Sequence, residues 1–435
     1  MTAERFIPFT KQDVIALCAE DVSKNTLYDI DAFSQVSQIL SSVLHFQYHD
    51  LLENLKRSYA PFDPNSDTRQ LATLTENELA EHQAQFAKDF EKVLTAANFE
   101  KITEADIQAA LTEESLFKVR LEVAFDDFDE IVFYRRGESQ KTEILQQFFG
   151  LKKKPLTFTN YDRVAVYIKF KGKEHFANKA LPAGFEPGAT VIKLFQNVPK
   201  ADLEMLFPNS EIRMRPIDKV IIGASAIVGG AVVLITKLGA SLILLATLFA
   251  FWIGMSDESV EMNQKQLIAL ALGFGVFGSF IFKEWSKFKN RKIKFMKALT
   301  DNLYYKNLDN NAGVFHTLVN EAEEEDFKEA LLAYSFLLKH PEGLTEQALD
   351  NEIEAWFDSQ YQCTLDFEVD DALQKLEAMK LVTKSSNTHP GTNLDTNPDN
   401  ALGTNMATHT VTYNAVELSV AKKTLDHYWD NIFQY

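Results

Sequence analysis

The feature that most constrains this chain is a long stretch almost free of charge. Val220 to Gly254 reads VIIGASAIVGGAVVLITKLGASLILLATLFAFWIG, with Lys237 its single charged residue, and Leu267 to Phe282 follows with none. A bilayer-crossing helix needs about 20 mostly apolar residues at about 1.5 Å rise each. The two runs therefore predict a transmembrane hairpin: a lead-in helix over Val220–Val233, a first span near Leu234–Met255 and a second near Leu267–Phe282. Soluble helices rarely stay apolar on every face, which weighs against a buried hairpin in a globular core. Ala271, Gly275 and Ser279 recur every fourth residue in the second run, a spacing that lets helices approach closely and that would join the spans or drive homo-oligomerisation.

The flanking charge sets the expected orientation. Arg213, Arg215 and Lys219 precede the first run, and Lys283, Lys287, Lys289, Arg291, Lys292, Lys294 and Lys297 follow the second. The connecting segment carries Asp257, Glu258 and Glu261 against Lys265. Cytoplasmic flanks collect Lys and Arg, so both basic flanks are expected inside and the number of spans even. Met1 to Thr10 shows no basic-then-apolar secretory pattern. The two cysteines, Cys18 and Cys363, fit a reducing compartment better than a disulfide framework. Together these predict a multi-pass protein of a bacterial inner (cytoplasmic) membrane with both termini cytoplasmic.

Outside the apolar runs the chain reads as α+β. Phe33, Val36, Leu40, Leu44, Tyr48, Leu51 and Leu55 follow helical spacing up to the Pro-bounded stop at Pro61 and Pro64. A second helix is expected from about Thr75 to Ala97. A third opens at Thr103, with Asp106 at the reciprocal capping position. From Leu116 the period changes to two, and short strands are expected over Leu116–Phe125, Ile131–Arg135, Thr142–Phe149, Leu156–Thr159, Arg163–Phe170 and Thr190–Phe195. Polar turns between them point to an antiparallel sheet. Glu321–Leu338, Thr345–Phe357 and Phe367–Met379 then read as helices, with Leu381–Lys384 and Thr410–Asn414 as a strand pair and Ala415–Phe433 as a last helix. That is the order of a winged helix, with a disordered wing tip over 385–409. The expected domains are an N-terminal helical region (1–112), an antiparallel sheet domain (113–215), the membrane hairpin (220–282), a basic juxtamembrane helix (283–300) and a winged-helix-like domain (301–435).

Several segments also form a recognisable series. Leu44-His45-Phe46-Gln47-Tyr48-His49-Asp50-Leu51-Leu52, followed by Ser58-Tyr59-Ala60-Pro61-Phe62-Asp63-Pro64, resembles the N-terminal half of the transmembrane-protein-143-like family. Lys193-Leu194-Phe195 with Val198-Pro199-Lys200-Ala201-Asp202-Leu203-Glu204 resembles its middle. Asn307, Asp309, Asn310, Asn311, Gly313 and His316 lie in the densest match, Leu303 to His316, which continues through Glu321–Glu324 and Lys328–Tyr334. The resemblance runs from about Phe6 to Phe433. It implies a membrane protein and no activity, because the family is one of unknown function.

Chemistry-bearing patterns are few. Gly273, Gly275 and Gly278 match a dinucleotide fingerprint in spacing, but that motif works at a strand-to-helix turn, and here it lies inside an apolar helix. Asn307-x-Asp309-x-Asn311 resembles the start of a calcium loop; the sixth position is Ala312 rather than Gly and the twelfth is Leu318 rather than Glu, so a polar turn relieved by Gly313 is expected instead. His45 and His49 stand four apart, as metal-binding pairs do on a helix, with Asp50 and Glu53 nearby. No third ligand is evident, and a polar helix–helix contact is the competing reading. The acidic run Glu321, Glu323, Glu324, Glu325 and Asp326 reads as a solvated helix end. No catalytic residue, metal or cofactor is assigned.

The net charge of −18 over 435 residues opposes nucleic-acid binding, which needs a basic surface. The would-be recognition helix is itself acidic, with Glu368, Asp370, Asp371 and Glu377. The basic stretch after Phe282 is interleaved with Trp285, Phe288, Ile293, Phe295 and Met296, which predicts contact with an anionic inner leaflet. The expected function is a membrane-anchored, non-enzymatic scaffold or adaptor with a protein partner. The alternatives are a membrane enzyme acting on a lipid or small phosphate ester through His45 and His49, and an oligomeric transporter or channel.

Overall fold

The computed structural model describes residues 4–24, 29–68, 71, 74–107, 120–147, 152–178, 186–209, 211–213, 216–233, 235–236, 239–255, 264–389 and 408–432. Local signals in the sequence set the first helices. The Thr10 hydroxyl accepts from Asp13 N–H at 3.2 Å and starts α1 (Lys11–Ser23). Asp29 accepts from Asp31 N–H at 2.9 Å and starts α2 (Ile30–Tyr59). Thr75 and Glu78 exchange reciprocal bonds as a capping box at the head of α3 (Glu76–Ala96). Each satisfies amide groups that have no partner within the helix. Thr103 and Asp106 repeat the box.

The strands are β1 (Glu100–Lys101), β2 (Arg120–Glu122), β3 (Phe128–Gln147), β4 (Lys152–Phe170) and β5 (Thr190–Pro199), then β6 (Glu211–Arg213). The expected separate strands around Ile131 and Thr142 are one strand of 20 residues, and those around Leu156 and Arg163 are one of 19. The polar segments between them look like turns in sequence but pair with each other: Arg136 lies opposite Arg163, and Glu138 opposite Tyr161. Gly137 makes this possible. It takes φ +71°, and a Cβ there would stand 2.7 Å from Asp162 Oδ2. No other residue tolerates both the positive φ and that approach.

After β6 come α4 (Pro216–Val233), α5 (Gly239–Trp252) and α6 (Gln264–Lys306). Here the structure corrects the membrane expectation. Among the described residues, no helix is long and apolar enough to cross a membrane. The reason lies in how the apolar run is divided. α4 has 18 residues but opens with Asp218 and Lys219, so its apolar part begins only at Val220. α5 has 14 residues, a length of about 21 Å against a hydrocarbon core of about 30 Å. α6 is long, at 43 residues, but its apolar part stops at Phe282, where Lys283 begins the basic stretch. The two-span transmembrane hairpin, the integral-membrane assignment and the multi-pass inner-membrane placement with cytoplasmic termini are therefore not supported. Lys237, Arg215 and the segment carrying Asp257, Glu258 and Glu261, on which the orientation argument leaned, lie outside the described residues.

The chain continues with β7 (Asn307–Asn310), α7 (Ala312–Lys339), α8 (Glu346–Tyr361), α9 (Val369–Ala378), β8 (Val382–His389), β9 (Thr408–Ala415) and α10 (Leu418–Asp430). Leu344, between α7 and α8, bridges antiparallel to Tyr413 in β9, giving the strand hairpin a third partner. The wing is longer than expected, because residues 385–389 and 408–409 are paired strand. The rest of the expected tip, 390–407, lies outside the described residues.

These elements form two units that do not follow chain order. One comprises Met1–Gln108, Asp126–Lys200 and Asn307–Tyr435; the other, Ala109–Phe125 and Ala201–Lys306. In the first, a five-stranded antiparallel sheet of order β1-β3-β4-β5-β7 presents Ala165, Tyr167, Ile192 and Leu194 to Tyr59, Phe86, Phe90 and Phe315 of α2, α3 and α7. A second cluster joins α1, the first half of α2, the second half of α7, α8, α9, α10 and the β8–β9 hairpin through Phe33, Leu40, Tyr334, Phe357 and Leu376. The helix α7 runs through both. In the second unit β2 pairs with β6, Phe125 stacks edge-on against Phe207 at 5.2 Å, and Gly229 of α4 lies beneath the ring of Phe280 in α6.

The Asn307–His316 segment is neither a calcium loop nor a simple turn. It adds edge strand β7 to the sheet and then launches α7. Asn311 sits at φ 49°, ψ −125°, a region costly for any side chain. It is held there by a reciprocal pair: its N–H donates to Ile192 O at 2.7 Å, and its Oδ1 accepts from Ile192 N–H at 3.0 Å. Asp309 accepts from the Thr317 hydroxyl, and Gly313 leaves room for that carboxylate, at 3.4 Å from a virtual Cβ. Asn311→Ala strands a buried amide and keeps the strained backbone. We predict a loss of about 1–3 kcal/mol, read as a lowered urea midpoint at unchanged slope; an unchanged midpoint would refute this account of the turn.

Candidate functional site

The centre of the first unit is ionic. In α7 the residues Glu325, Asp326, Lys328 and Glu329 are all buried, and a buried charge persists only if paired and hydrogen-bonded. Most of their partners come from other elements. Tyr48 of α2 donates to Asp326 Oδ2 at 2.6 Å, and Lys375 of α9 donates to Asp326 Oδ1 at 2.7 Å. Lys375 also lies 3.7 Å from Glu329, whose Oε1 accepts from Asn98 at 3.1 Å. Arg136 of β3 donates to Glu325 at 3.0 Å and pairs with Glu321 at 2.8 Å. Lys328 donates to Glu325 at 2.7 Å. The acidic run expected on a solvated helix end thus lies in mid-helix, and its members Glu325 and Asp326 are inside the fold. Sequence reasoning missed Arg136, Lys328, Glu329 and Lys375. The available signal was a block of charge directly abutting Ala330–Leu338, an apolar stretch with only Ser335 and the Tyr334 hydroxyl as polar groups.

Electrostatics sort these groups. Burial pushes Glu329 up to about 8, with Lys375 opposing that shift and Asp326 adding to it. Burial likewise raises Asp326, against Lys375 and the Tyr48 hydroxyl. Burial disfavours the Lys375 ammonium, but Asp326 and Glu329 outweigh it and raise its pKa. Lys375 therefore stays charged, and Glu329 is the group that holds a proton near neutrality.

Beside this cluster lies an open cleft of about 310 Å³, lined by Glu4, Arg5, Phe6, Asn98, Arg135 and Glu138 among others. Arg136 lies over the Phe6 ring, 4.6 Å from its centroid, and Arg135 bridges Glu100 at 2.8 Å and Glu138. Burial, with Asp162 and Glu138 nearby, raises the Glu4 carboxyl.

The histidines are not assembled into a site. His45 and His49 are both exposed on α2, and His45 Nδ1 meets Glu323 of α7 at 2.8 Å, a polar contact between two helices. Among the described residues no group of three or more His, Cys, Asp or Glu could hold a metal ion. Cys18 and Cys363 are free thiols, and burial pushes Cys18 up to about 12. On the acidic helix α9, Lys375 is turned inward to its carboxylates, whereas Asp370, Gln374 and Glu377 are exposed.

The second unit carries a different surface. Phe282 is 72% exposed and Trp285 67% on α6, and Trp252 on α5 is 81% exposed. Lys283, Lys287, Lys289, Lys294 and Lys297 are exposed on the same helix α6; the side chains of Arg291 and Lys292 lie outside what is described. At 3.6 residues per turn, Lys283, Lys287, Lys294 and Lys297 share one stripe, flanking another formed by Phe282, Trp285, Ile293 and Met296, and Lys289 falls among these four. Ala271, Gly275 and Ser279 are exposed, and the Ser279 hydroxyl donates back to Gly275 O at 2.8 Å. The close approach of helices described here is at Gly229 and Phe280 instead. Gly273, Gly275 and Gly278 lie within α6, away from any strand-to-helix turn.

Residues 161–313 match DUF3754, a protein family of unknown function. The match covers the second half of β4, β5, the second unit from Ala201 on, and β7 up to the start of α7; by itself it does not link the chain to the transmembrane-protein-143-like family. No solved structure matches the chain.

The Glu329 shift has a consequence for stability. Its folded pKa stands above the ordinary carboxylate value, so its contribution is fully present below about 4.5 and is lost as pH rises through about 8. Glu329→Gln keeps the acceptor for Asn98 and removes the titration. We predict that the fall in unfolding free energy between pH 5 and pH 8.5 becomes shallower in this variant, measured by urea unfolding at each pH. An identical pH slope in the two proteins would refute the assignment.

Proposed function

We propose that this chain is a non-enzymatic adaptor whose second unit lies on an anionic lipid surface without crossing it. The observation that carries the reading is the paired stripe on α6: exposed Phe282, Trp285, Ile293 and Met296 alongside exposed Lys283, Lys287, Lys294 and Lys297. An exposed apolar surface of this kind marks an interaction site. A helix with large apolar side chains on one face, lysines beside them and Lys289 snorkelling from among them fits the interface plane of an anionic bilayer, where aromatic rings sit at headgroup level and ammonium groups reach the phosphates.

Charge selects lipid as the occupant. The whole chain has a net charge of −18, so an anionic surface repels most of it and attracts this stripe. The first unit, with its acidic outward face on α9, then stands as the protein-contact body. The likeness of Leu303–His316 to the transmembrane-protein-143-like family belongs to this proposal too, and it fits a lipid-associated role.

Each cation near an anionic membrane contributes about 1 kcal/mol. The full chain should co-sediment with vesicles containing phosphatidylserine and not with pure phosphatidylcholine. Lys283→Gln with Lys294→Gln should weaken that binding by about thirty-fold, as loss of two such cations implies. Equal sedimentation with neutral vesicles, or none with either, would sink the proposal.

A further inference from the structure

The segment Glu4–Phe9 is bound to the first unit as a peptide ligand is bound. Its backbone is read group by group. Glu4 N–H donates to Thr364 O at 3.0 Å, and Asp366 N–H donates to Glu4 O at 2.9 Å, in a parallel bridge with Leu365. Ile7 N–H donates to Glu325 Oε2 at 3.0 Å. The Lys328 ammonium donates to Ile7 O at 2.8 Å and to Phe9 O at 3.2 Å. The side chains alternate between separate receptors. Arg5 enters a cluster of Glu100, Asp366 and Glu368. Phe6 lies under Arg136. Ile7 is buried in the helical core, and Phe9 packs against Phe357 and Tyr361. Main-chain hydrogen bonds combined with pockets for successive side chains are how proteins recognise extended peptides.

The two groups that read this backbone are unusual anchors. Lys328 is 3% exposed and Glu325 is 1% exposed. An apolar pair of the same volume would hold a permanent strap as well or better. A charged pair differs when the strap leaves: water solvates both groups at once, whereas an apolar floor would be left bare. The groove is also larger than its occupant, since the 310 Å³ cleft lies open along Glu4, Arg5 and Phe6.

We propose that the groove formed by Glu325, Lys328, Arg136 and the Leu365–Glu368 edge is a peptide-binding site. Its ligand is an extended segment with a basic, an aromatic and an aliphatic residue in succession. Residues Glu4–Phe9 occupy it in cis, and a partner segment of the same chemistry takes their place in trans. This inference concerns the first unit and stands whether or not the second docks on lipid.

The test uses the full chain. In hydrogen exchange of the wild type, the amides of Glu4 and Ile7 should exchange through a local opening, faster than the amides of α7 between Leu331 and Leu338. Exchange of both sets only through global unfolding would overturn the proposal. Arg5→Glu places a like charge among Glu100, Asp366 and Glu368 and should loosen the strap. A fluorescent synthetic peptide covering residues 2–10 should then bind the Arg5→Glu chain at least ten-fold more tightly than the wild type. The same peptide with glutamate in place of its arginine should not bind. Equal binding to both chains, or to neither, would overturn the proposal. The trans segment belongs to a separate protein, so light scattering should show a monomeric wild type; a dimer that Arg5→Glu dissociates would overturn the proposal.

Discussion

The first unit depends on a single helix that is buried on nearly every side. From Glu325 to Leu338 every residue of α7 is buried, so this helix cannot use the usual division into an apolar face and a wet face. Its C-terminal half solves the problem with apolar side chains in contact with α1, α2, α8, α9 and α10. Its N-terminal half rests on the sheet. Between them lies a block of charge that neither core could accept unpaired. Every neighbouring element must therefore bring a partner: Tyr48 from α2, Asn98 from the turn before β1, Arg136 from β3, Lys375 from α9, and the backbone of Ile7 and Phe9 from the strap. The ionic block fixes which face of each element turns inward, because rotating any of them leaves a buried charge without its counterion, a loss of several kcal/mol.

This arrangement also explains the interleaved order of the chain. The strap, α2, the sheet and α9 are distant in sequence, yet each supplies a ligand to the same stretch of α7. A domain boundary near 112 or near 300, placed by composition, cuts through that set. The link that closes the circuit is the Asn307–Gly313 segment. It returns the chain from the second unit as a sheet edge and delivers α7 against Ile192 in a single strained residue, Asn311. Strain of that kind persists only where surrounding contacts over-determine it, and the reciprocal Asn311–Ile192 pair is such a contact.

How much of this could be read from the sequence follows from the range of each interaction. Two helix starts were legible, because a cap is a contact between residues three apart: Thr75 and Thr103 each announce themselves. The antiparallel sheet was legible in its alternation, but strand lengths were not. Arg135-Arg136-Gly137 and Asn160-Tyr161-Asp162 carry turn residues, and only their pairing across the hairpin reveals them as continuous strand. The charge block on α7 was visible and misread, since a run of acids is solvated unless cations arrive from elsewhere, and Arg136 and Lys375 lie about two hundred and forty residues apart in the chain. The membrane hairpin failed for a related reason. Average hydropathy over Val220–Phe282 is blind to where helices stop, and among the described residues no helix is long and apolar enough to cross a membrane.

The two surfaces then differ in what they ask of a partner. The groove under the strap is polar at its floor and specific along its length, so it discriminates by sequence. The α6 stripe is apolar and cationic with no constellation of directional hydrogen bonds, so it discriminates by charge and texture, as a fluid lipid surface requires. A protein partner for that stripe would have to present anionic groups spaced to match lysines along a single exposed helix. A bilayer supplies them at any spacing. In the proposed reading these helices lie flat on the bilayer: among the described residues none is long and apolar enough to cross it, and their exposed apolar side chains are covered by the surface they lie on.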